Sequence, residues 1–492
     1  MTKRIQTDSS RSNKDSPAGP VPASAENSMF PRLTRNRAAN LALTLAMVAV
    51  ICFLGWNALN SVSGSPIGWD SGAFTTVACH LLSGKTMCKD VIMSQPAMAI
   101  LLNMAAIGIG GRTISSVRTM ERLFAMAGGL LFFLILSKGL KSRALAFLGT
   151  LLYFPHFFDR LVLEGGNLME EYAVIFVLAG ILCVLHAREA GGRKALVQSC
   201  AAGLMFSLAA FTKDPFILSS VPWFIYLILS PGWNRKSMLA RAGCFIAAAF
   251  APLVVFVLYL LLKGALLNWL DNYYVGFAYV GDKYQQHVPL MDRLRSDFAA
   301  TKMRVFDRSG IGPFLFCAGV AVCLVPGFVK KYAFFPVAAI GAFVMDYWAT
   351  TLSGKHFGHY YMQLVPSYVM IAISGIAFLS YLGDKWRIPD SALLTAALLA
   401  ILFCWDRSAW FPFIECVRGP SPKPAVGPIT SYIVQNSVPS DPLWVGPGYT
   451  TRFYFETGRL SPATQFVPTL PWFVDTPLST REEKISTLKS QL

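Results

Sequence analysis

Long apolar runs alternate along the chain with short polar turns, and most basic clusters fall in those turns. Runs at roughly 38–58, 120–137, 144–159, 170–187, 195–211, 215–230, 240–262, 312–329, 332–352, 360–381 and 388–405 approach or exceed the ~20 residues that cross a bilayer as a helix. The pattern predicts an all-α polytopic membrane protein with about eleven transmembrane helices. The apolar stretch 96–110 is short and ends in Ile-Gly-Ile-Gly-Gly, which suits an interfacial or re-entrant helix. Charge parity decides for that assignment. If 96–110 crossed, Lys138/Lys141/Arg143, Arg188/Arg193/Lys194 and Arg235/Lys236/Arg241 would all face outward. If it lies in the interface, they face the cytoplasm together with Lys330/Lys331 and Lys385/Arg387, as the positive-inside rule requires.

This topology divides the chain into three parts. Residues 1–37 are rich in Ser, Asn, Pro, Lys and Arg and read as a disordered basic cytoplasmic tail, with no signal peptide ahead of the first span. Residues 38–405 form the transmembrane domain, with interfacial helices in its first outer loop. Residues 406–492 are Pro-rich and lack a further span. They are expected to form a small extracytoplasmic α/β domain, with a helix near 428–437 and a strand near 442–446. No internal repeat of about 20–50 residues marks a solenoid or array.

Composition agrees with the pattern. Hydrophobic residues make up 54% of the 492 and charged residues 14%, against about 25% charged in a soluble domain. The net charge of +16 follows from membrane topology and calls for no nucleic-acid partner. Most of the ten cysteines lie inside apolar runs, where they act as small apolar residues, and no CxxC pair signals zinc. Cys79 and Cys88 share the first outer loop, where a disulfide and two free thiols are both open.

The same topology sorts the chemically capable residues to the outer face. Asp70 lies in a Trp-Asp-Ser-Gly turn after the first span, and Asp90 lies further along that loop. A carboxylate there can take a proton from an attacking hydroxyl or hold a divalent cation; ordinary turn chemistry explains an Asp before Ser-Gly equally well. Glu164, Glu170 and Glu171 surround Glu-Gly-Gly-Asn-Leu-Met-Glu-Glu-Tyr. They can orient an acceptor or a metal, or Glu170 and Glu171 can simply sit at the positive end of a helix, with Asn167 as its N-cap. Lys213-Asp214-Pro215 interrupts two apolar runs, so Lys213 either holds a lipid phosphate or pairs with Asp214. His356, His359, Tyr360 and Gln363 stand at the mouth of the tenth span and suit anion or sugar contacts, or an interfacial belt. The loop 263–311 carries Trp269, Tyr273, Tyr274, Phe277, Tyr279 and Tyr284, able to stack on a sugar or to anchor a surface helix.

In order, these segments resemble the GT-C superfamily of integral-membrane glycosyltransferases, in particular bacterial relatives of protein O-mannosyltransferases and of the lipid A aminoarabinose transferase. The resemblance covers roughly residues 38–380. It rests on Asp70-Ser71-Gly72, Ala-Cys-His-Leu-Leu-Ser-Gly-Lys-Thr-Met-Cys-Lys-Asp, the Gln95-Pro96 start of the interfacial helix, Glu121-Arg122-Leu123, Asn-Leu-Met-Glu-Glu-Tyr, Phe-Thr-Lys-Asp-Pro-Phe and His-Tyr-Tyr-Met-Gln-Leu-Val-Pro. Two departures stand out: Cys88-Lys89-Asp90 where the family often has Tyr before Asp, and Ser94-Gln95-Pro96 where it often has Lys-Pro-Pro or His-Pro-Pro.

The resemblance implies a polyprenyl-phosphate sugar donor, an acceptor hydroxyl on an envelope glycan, lipid or protein, and inverting transfer at the outer face of the bacterial inner membrane. Asp70 would be the base or orient the acceptor. Lys213, with Arg122 or the His356/His359 pair, would hold the donor phosphate. Asp90, Glu164, Glu170, Glu171, Tyr360 and Gln363 would orient the acceptor or a metal; the sequence requires no cation, and Mg or Mn dependence stays open. The rivals are a transporter or flippase of lipid-linked glycans, which places ionisable groups near the midplane, and an O-antigen polymerase or ligase with one large late outer loop.

Overall fold

The computed structural model describes residues 37–63, 68–91, 96–229, 234–271, 273, 289–307, 312–352, 356–386, 407–419, 427–441, 443, 445 and 452–459. These residues form an all-α polytopic membrane protein. Six helices are long and apolar enough to cross a bilayer, within Arg37–Asn57, Ile114–Gly139, Met169–Glu189, Gly192–Thr212, Arg235–Leu262 and the stretch 358–383. Shorter helices, Arg143–Phe157, Ile217–Ile228, Gly312–Val322 and Phe335–Thr351, pack among them. The expected tail 1–36 and the span 388–405 fall outside the described residues.

Local chemistry sets the breaks. Thr113 and Ser142 cap Ile114–Gly139 and Arg143–Phe157 through their hydroxyls, and Asn234 caps Arg235–Leu262 through its side-chain oxygen. The run expected as one span over 312–329 is two helices, Gly312–Val322 and Pro326–Lys331. Pro326 lacks an amide hydrogen, so it starts a helix readily and continues one poorly. The tenth span begins as a 3-10 turn, Gly358–Gln363, before Leu364–Trp386. The short stretch 96–110 forms the 13-residue helix Met98–Gly110. It packs beside Trp69–Leu82, and the two share an apolar cluster that includes Phe74, Val77, Ile100 and Ile107.

Tyr454 and Phe455, from the C-terminal helix Arg452–Thr457, join the same cluster. Arg112 fastens this helix by donating to the carbonyls of Tyr454 at 2.6 Å, Gly458 at 3.0 Å and Arg459 at 3.1 Å. A Cβ on Gly72 would lie 2.9 Å from the Arg452 amide nitrogen, so the helix that carries Asp70 and the C-terminal helix meet at backbone distance. The helix expected near 428–437 is Pro428–Asn436. The neighbouring strand is not formed at Leu443 or Val445, the described positions in that stretch, and the described part of 406–492 is helix and turn. Cys79 and Cys88 are buried free thiols.

The larger apolar core is built from long helices in close approach. At Gly203 a Cβ would stand 2.0 Å from the Phe245 carbonyl oxygen, so Gly192–Thr212 and Arg235–Leu262 touch backbone to backbone. Gly203→Val should cost about 1–3 kcal/mol through overpacking and lower the thermal midpoint of the purified protein in detergent; an unchanged midpoint would refute this contact.

Candidate active site

The site assembles where three polypeptide segments leave their helices. After Thr212 the chain turns extended at Lys213 (φ −153°, ψ 117°) and enters the 3-10 turn Asp214–Phe216, because Pro215 has no amide hydrogen to continue the ladder and its ring would clash with the carbonyl four residues back. Lys213 therefore ends one helix instead of continuing it. Its ammonium meets the carboxylate of Glu170, in the first turn of Met169–Glu189, at 3.0 Å, and stands 4.7 Å from the centre of the Tyr360 ring. Burial by itself lowers the pKa of Lys213, but Glu170 and Tyr360 outweigh it and hold the pKa above the usual lysine range. The side chain is charged at neutral pH.

The 3-10 turn Gly358–Gln363 supplies the third segment. His359 Nδ1 lies 2.8 Å from Glu164 Oε2, and the other Glu164 oxygen accepts the Gly358 amide at 2.8 Å. His359 Nε2 is 4.0 Å from Glu170. Glu164 takes positive φ (50°) at the end of its short turn, and this backbone turn brings its carboxylate to His359. Burial raises the Glu164 pKa; its hydrogen bond and charge interaction with His359, and the Gly358 amide, more than reverse that and leave it below the ordinary carboxylate range.

Asp70, in the first turn of Trp69–Leu82, belongs to the same electrostatic group. Burial raises its pKa, while His359 and Lys213 draw it partway back and Glu170 and Glu164 push it up. The next residue fixes the helix in place. Ser71 Oγ accepts from Asn167 Nδ2 at 2.7 Å; Asn167 exchanges hydrogen bonds with Asn103 at 3.0 and 3.1 Å and accepts from the Tyr172 hydroxyl at 2.7 Å. The Asn167 amide donates to Glu121, which is itself paired with Arg118 at 2.9 Å.

Several expected members stand elsewhere. Arg122, expected at the donor phosphate, donates to Asn60 Oδ1 at 3.2 Å and lies over the Trp56 ring, while the buried Arg118, one helical turn earlier, pairs with Glu121. The two histidines do not act as a pair. His356 bonds Ser296 at 3.0 Å and the Tyr361 hydroxyl at 3.1 Å, facing Asp297 on helix Leu290–Thr301. Asp90 accepts the Thr86 amide and closes its own turn. Glu171 accepts the Leu168 amide, which makes Leu168 the N-cap where Asn167 was expected. Lys213 pairs with Glu170 and not with Asp214. Gln363 points into the helix bundle, to Ser219 at 2.9 Å and Asp346 at 3.3 Å. Of the loop aromatics, Trp269 and Tyr273 pack together at 5.6 Å; Tyr274, Phe277, Tyr279 and Tyr284 lie outside the described residues.

Sequence reasoning passed over Asn103, Arg118, Ser219 and Asp346. A lone Asp in the apolar run 332–352 is the signal it had available, since ionisable groups in spans are costly to place there. Asp70, Glu164, Glu170 and His359 supply the oxygen and nitrogen donors of the mouth; among the described residues no three His, Cys, Asp or Glu are grouped closely enough to hold a metal ion.

Comparison with solved structures places the architecture. The chain superposes on the crystal structure of ArnT from Cupriavidus metallidurans bound to undecaprenyl phosphate with a TM-score of 0.57 at 13% identity, over 87% of this chain and 86% of that one. The chain has the fold of ArnT. The apo form of ArnT from the same organism gives a TM-score of 0.56 at 13% identity, covering 91% of both chains. No protein-family model matches the sequence, and neither does any curated protein. Within this fold the polar cluster sits where helices begin and end.

The depressed pKa of Glu164 makes its contribution to stability pH-dependent. That contribution is complete above the ordinary carboxylate value of about 4.3 and is lost as pH falls through the lower folded value. Thermal unfolding in detergent should therefore show wild type more stable than Glu164→Gln at neutral pH, with the two curves converging below pH ~4. A gap that persists unchanged in acid would remove the His359–Glu164 interaction from the account.

Proposed function

We propose that this protein is a glycosyltransferase that moves a sugar from a polyprenyl-phosphate donor to an acceptor hydroxyl, with inversion, at the outer face of the bacterial inner membrane. The observation that carries the reading is the convergence of Asp70 and a charged, membrane-flanked Lys213 in a fold whose solved neighbour holds undecaprenyl phosphate. A lipid-linked donor explains why the cluster is built at helix ends: the prenyl chain stays among the spans while the phosphate and sugar reach the polar mouth.

In the reaction, the acceptor oxygen attacks the anomeric carbon as Asp70 takes its proton. The bond from that carbon to the phosphate oxygen breaks, and the electron pair leaves with the polyprenyl phosphate. Lys213, held in place by Glu170 and Tyr360, stabilises the charge gathering on that phosphate, an electrostatic effect that grows toward the transition state. His359 adds a donor at the same mouth, positioned by Glu164. The raised pKa of Asp70 suits a base better than an ordinary aspartate would, because a more basic carboxylate accepts the proton with more driving force. The acceptor side is assigned to the C-terminal segment 406–492 and loop 263–311, since Arg452–Thr457 docks on the Asp70 helix. The acceptor itself is an envelope glycan, lipid or protein.

Two measurements test this. In a deletion strain, mass spectrometry should find a polyprenyl-phosphate sugar accumulating and one envelope glycan or protein lacking a residue, restored by wild type and not by Asp70→Asn. No change in any glycan or donor lipid would favour a transporter instead. In a reconstituted assay, Asp70→Asn should lower kcat by about 10²–10⁴-fold, and the acid limb of the wild-type kcat/KM profile should fall above the ordinary aspartate value of about 3.9. A limb at or below that value would disqualify Asp70 as the base.

A further inference from the structure

One buried carboxylate belongs to neither the mouth nor the lipid-facing surface. Asp346 is 4% exposed, inside Phe335–Thr351. Its Oδ1 accepts from the Ser219 hydroxyl at 2.6 Å and from Gln363 Nε2 at 3.3 Å; its Oδ2 accepts from the Ser367 hydroxyl at 3.0 Å. Gln363 Nε2 also donates to Ser219 at 2.9 Å, which closes the cluster. Such a group buried inside a helix packed among the spans is costly, and apolar packing would have held these helices together without it.

The partners explain its place. Ser219 lies six residues after Lys213, in the first turn of the helix that follows Pro215. Gln363 ends the 3-10 turn that carries His359 and Tyr360, four residues later than His359. Asp346 thus ties together the two segments that bring Lys213 and His359 to the mouth, from directly beneath them in the bundle. Neither segment has regular α-helix at its functional residue: Lys213 is extended and His359 lies in a 3-10 turn. Backbone ladders alone leave their relative position loose; Glu170 and Tyr360 tie the two segments at the mouth, and the Asp346 cluster adds a second side-chain tie inside the bundle.

We propose that Asp346 is a positioning residue, which sets the separation of Lys213 from His359 through Ser219 and Gln363 without touching substrate. The inference rests on the glycosyl-transfer reading and deepens it. It requires hydrogen-bond acceptance and not negative charge. Asparagine can fill the role: its oxygen accepts from Ser219 and Gln363, while its amide donates to Ser367, whose hydroxyl then bonds the Leu364 carbonyl already within 3.1 Å.

The test compares Asp346→Ala, Asp346→Asn, Gln363→Leu and the Asp346→Ala/Gln363→Leu double variant in proteoliposomes with the polyprenyl-phosphate sugar identified from the deletion strain. Asp346→Ala should lower kcat by about 10- to 100-fold, the scale of a misplaced reacting group, with the donor KM changed less than about twofold, and Asp346→Asn should recover most of the loss. The double variant should lose no more than Asp346→Ala alone, because both substitutions cut the same tie. Hydrogen exchange, which needs no turnover, should rise in both 213–219 and 358–363 for Asp346→Ala and stay near wild type for Asp346→Asn. Equal loss in Asn and Ala, additive losses in the double variant, or exchange confined to one segment would overturn the proposal. If wild type transfers no sugar while the exchange pattern is as expected, the tie stands and the transferase reading fails.

Discussion

A charged lysine at the edge of the bilayer has to be neutralised, and the pairing of Lys213 with Glu170 is the constraint on which the surrounding structure depends. Moving an ammonium from water into protein costs several kcal/mol unless a partner and further contacts offset it. Glu170 stands at 3.0 Å and Tyr360 offers its ring face. Meeting that requirement dictates the rest of the neighbourhood. The helix Gly192–Thr212 has to stop where it does, Met169–Glu189 has to begin opposite, and the 358–363 turn has to close over both. Glu170 sits in the first turn of its helix, where the helix dipole also favours a carboxylate.

The second constraint is the position of Asp70 relative to that pair. Asp70 lies on a 14-residue helix, too short to be oriented by the bilayer as a span is. Hydrogen bonding supplies the orientation instead, through Ser71, Asn167, Asn103 and Tyr172, with the Arg118–Glu121 pair behind them. Arg112 and the Gly72 contact secure the opposite side of this helix to the C-terminal segment. Asp70, the proposed base, and Lys213, the proposed phosphate-binding residue, are therefore referenced to one framework from two directions. In the proposed reaction the proton and the leaving group depart from different sides of one carbon, and such a framework keeps both stations fixed.

Much of the architecture was legible in the apolar runs, because burial in lipid forces long uninterrupted stretches and places basic residues in the turns. The break between Val322 and Pro326 was hidden: composition stays apolar across it, and only the missing amide of Pro326 divides the helix. Within the site, Asp70, Lys213, Glu164, Glu170, His359 and Tyr360 could be named from the sequence and lie together in the structure. Arg122, His356, Asp90 and Gln363 could be named for the same reason and lie apart. A residue's place near a helix end indicates its depth, but its direction depends on helix phase, and phase is poorly determined where 3-10 turns and extended residues intervene. Arg118 and Arg122 show this directly, since one turn separates the arginine that meets Glu121 from the one that meets Trp56. Asp346 was passed over because one acidic residue barely changes the hydropathy of a long run.

In the proposed reaction Lys213 holds the phosphate of a polyprenyl-linked donor. Native mass spectrometry of the purified protein in nanodiscs containing undecaprenyl phosphate checks this, comparing wild type with Lys213→Met and with the surface variant Lys236→Met. Wild type and Lys236→Met should retain the lipid, and Lys213→Met, still folded by its thermal midpoint, should release it. Equal retention by all three proteins would rule out Lys213 as the phosphate-binding residue.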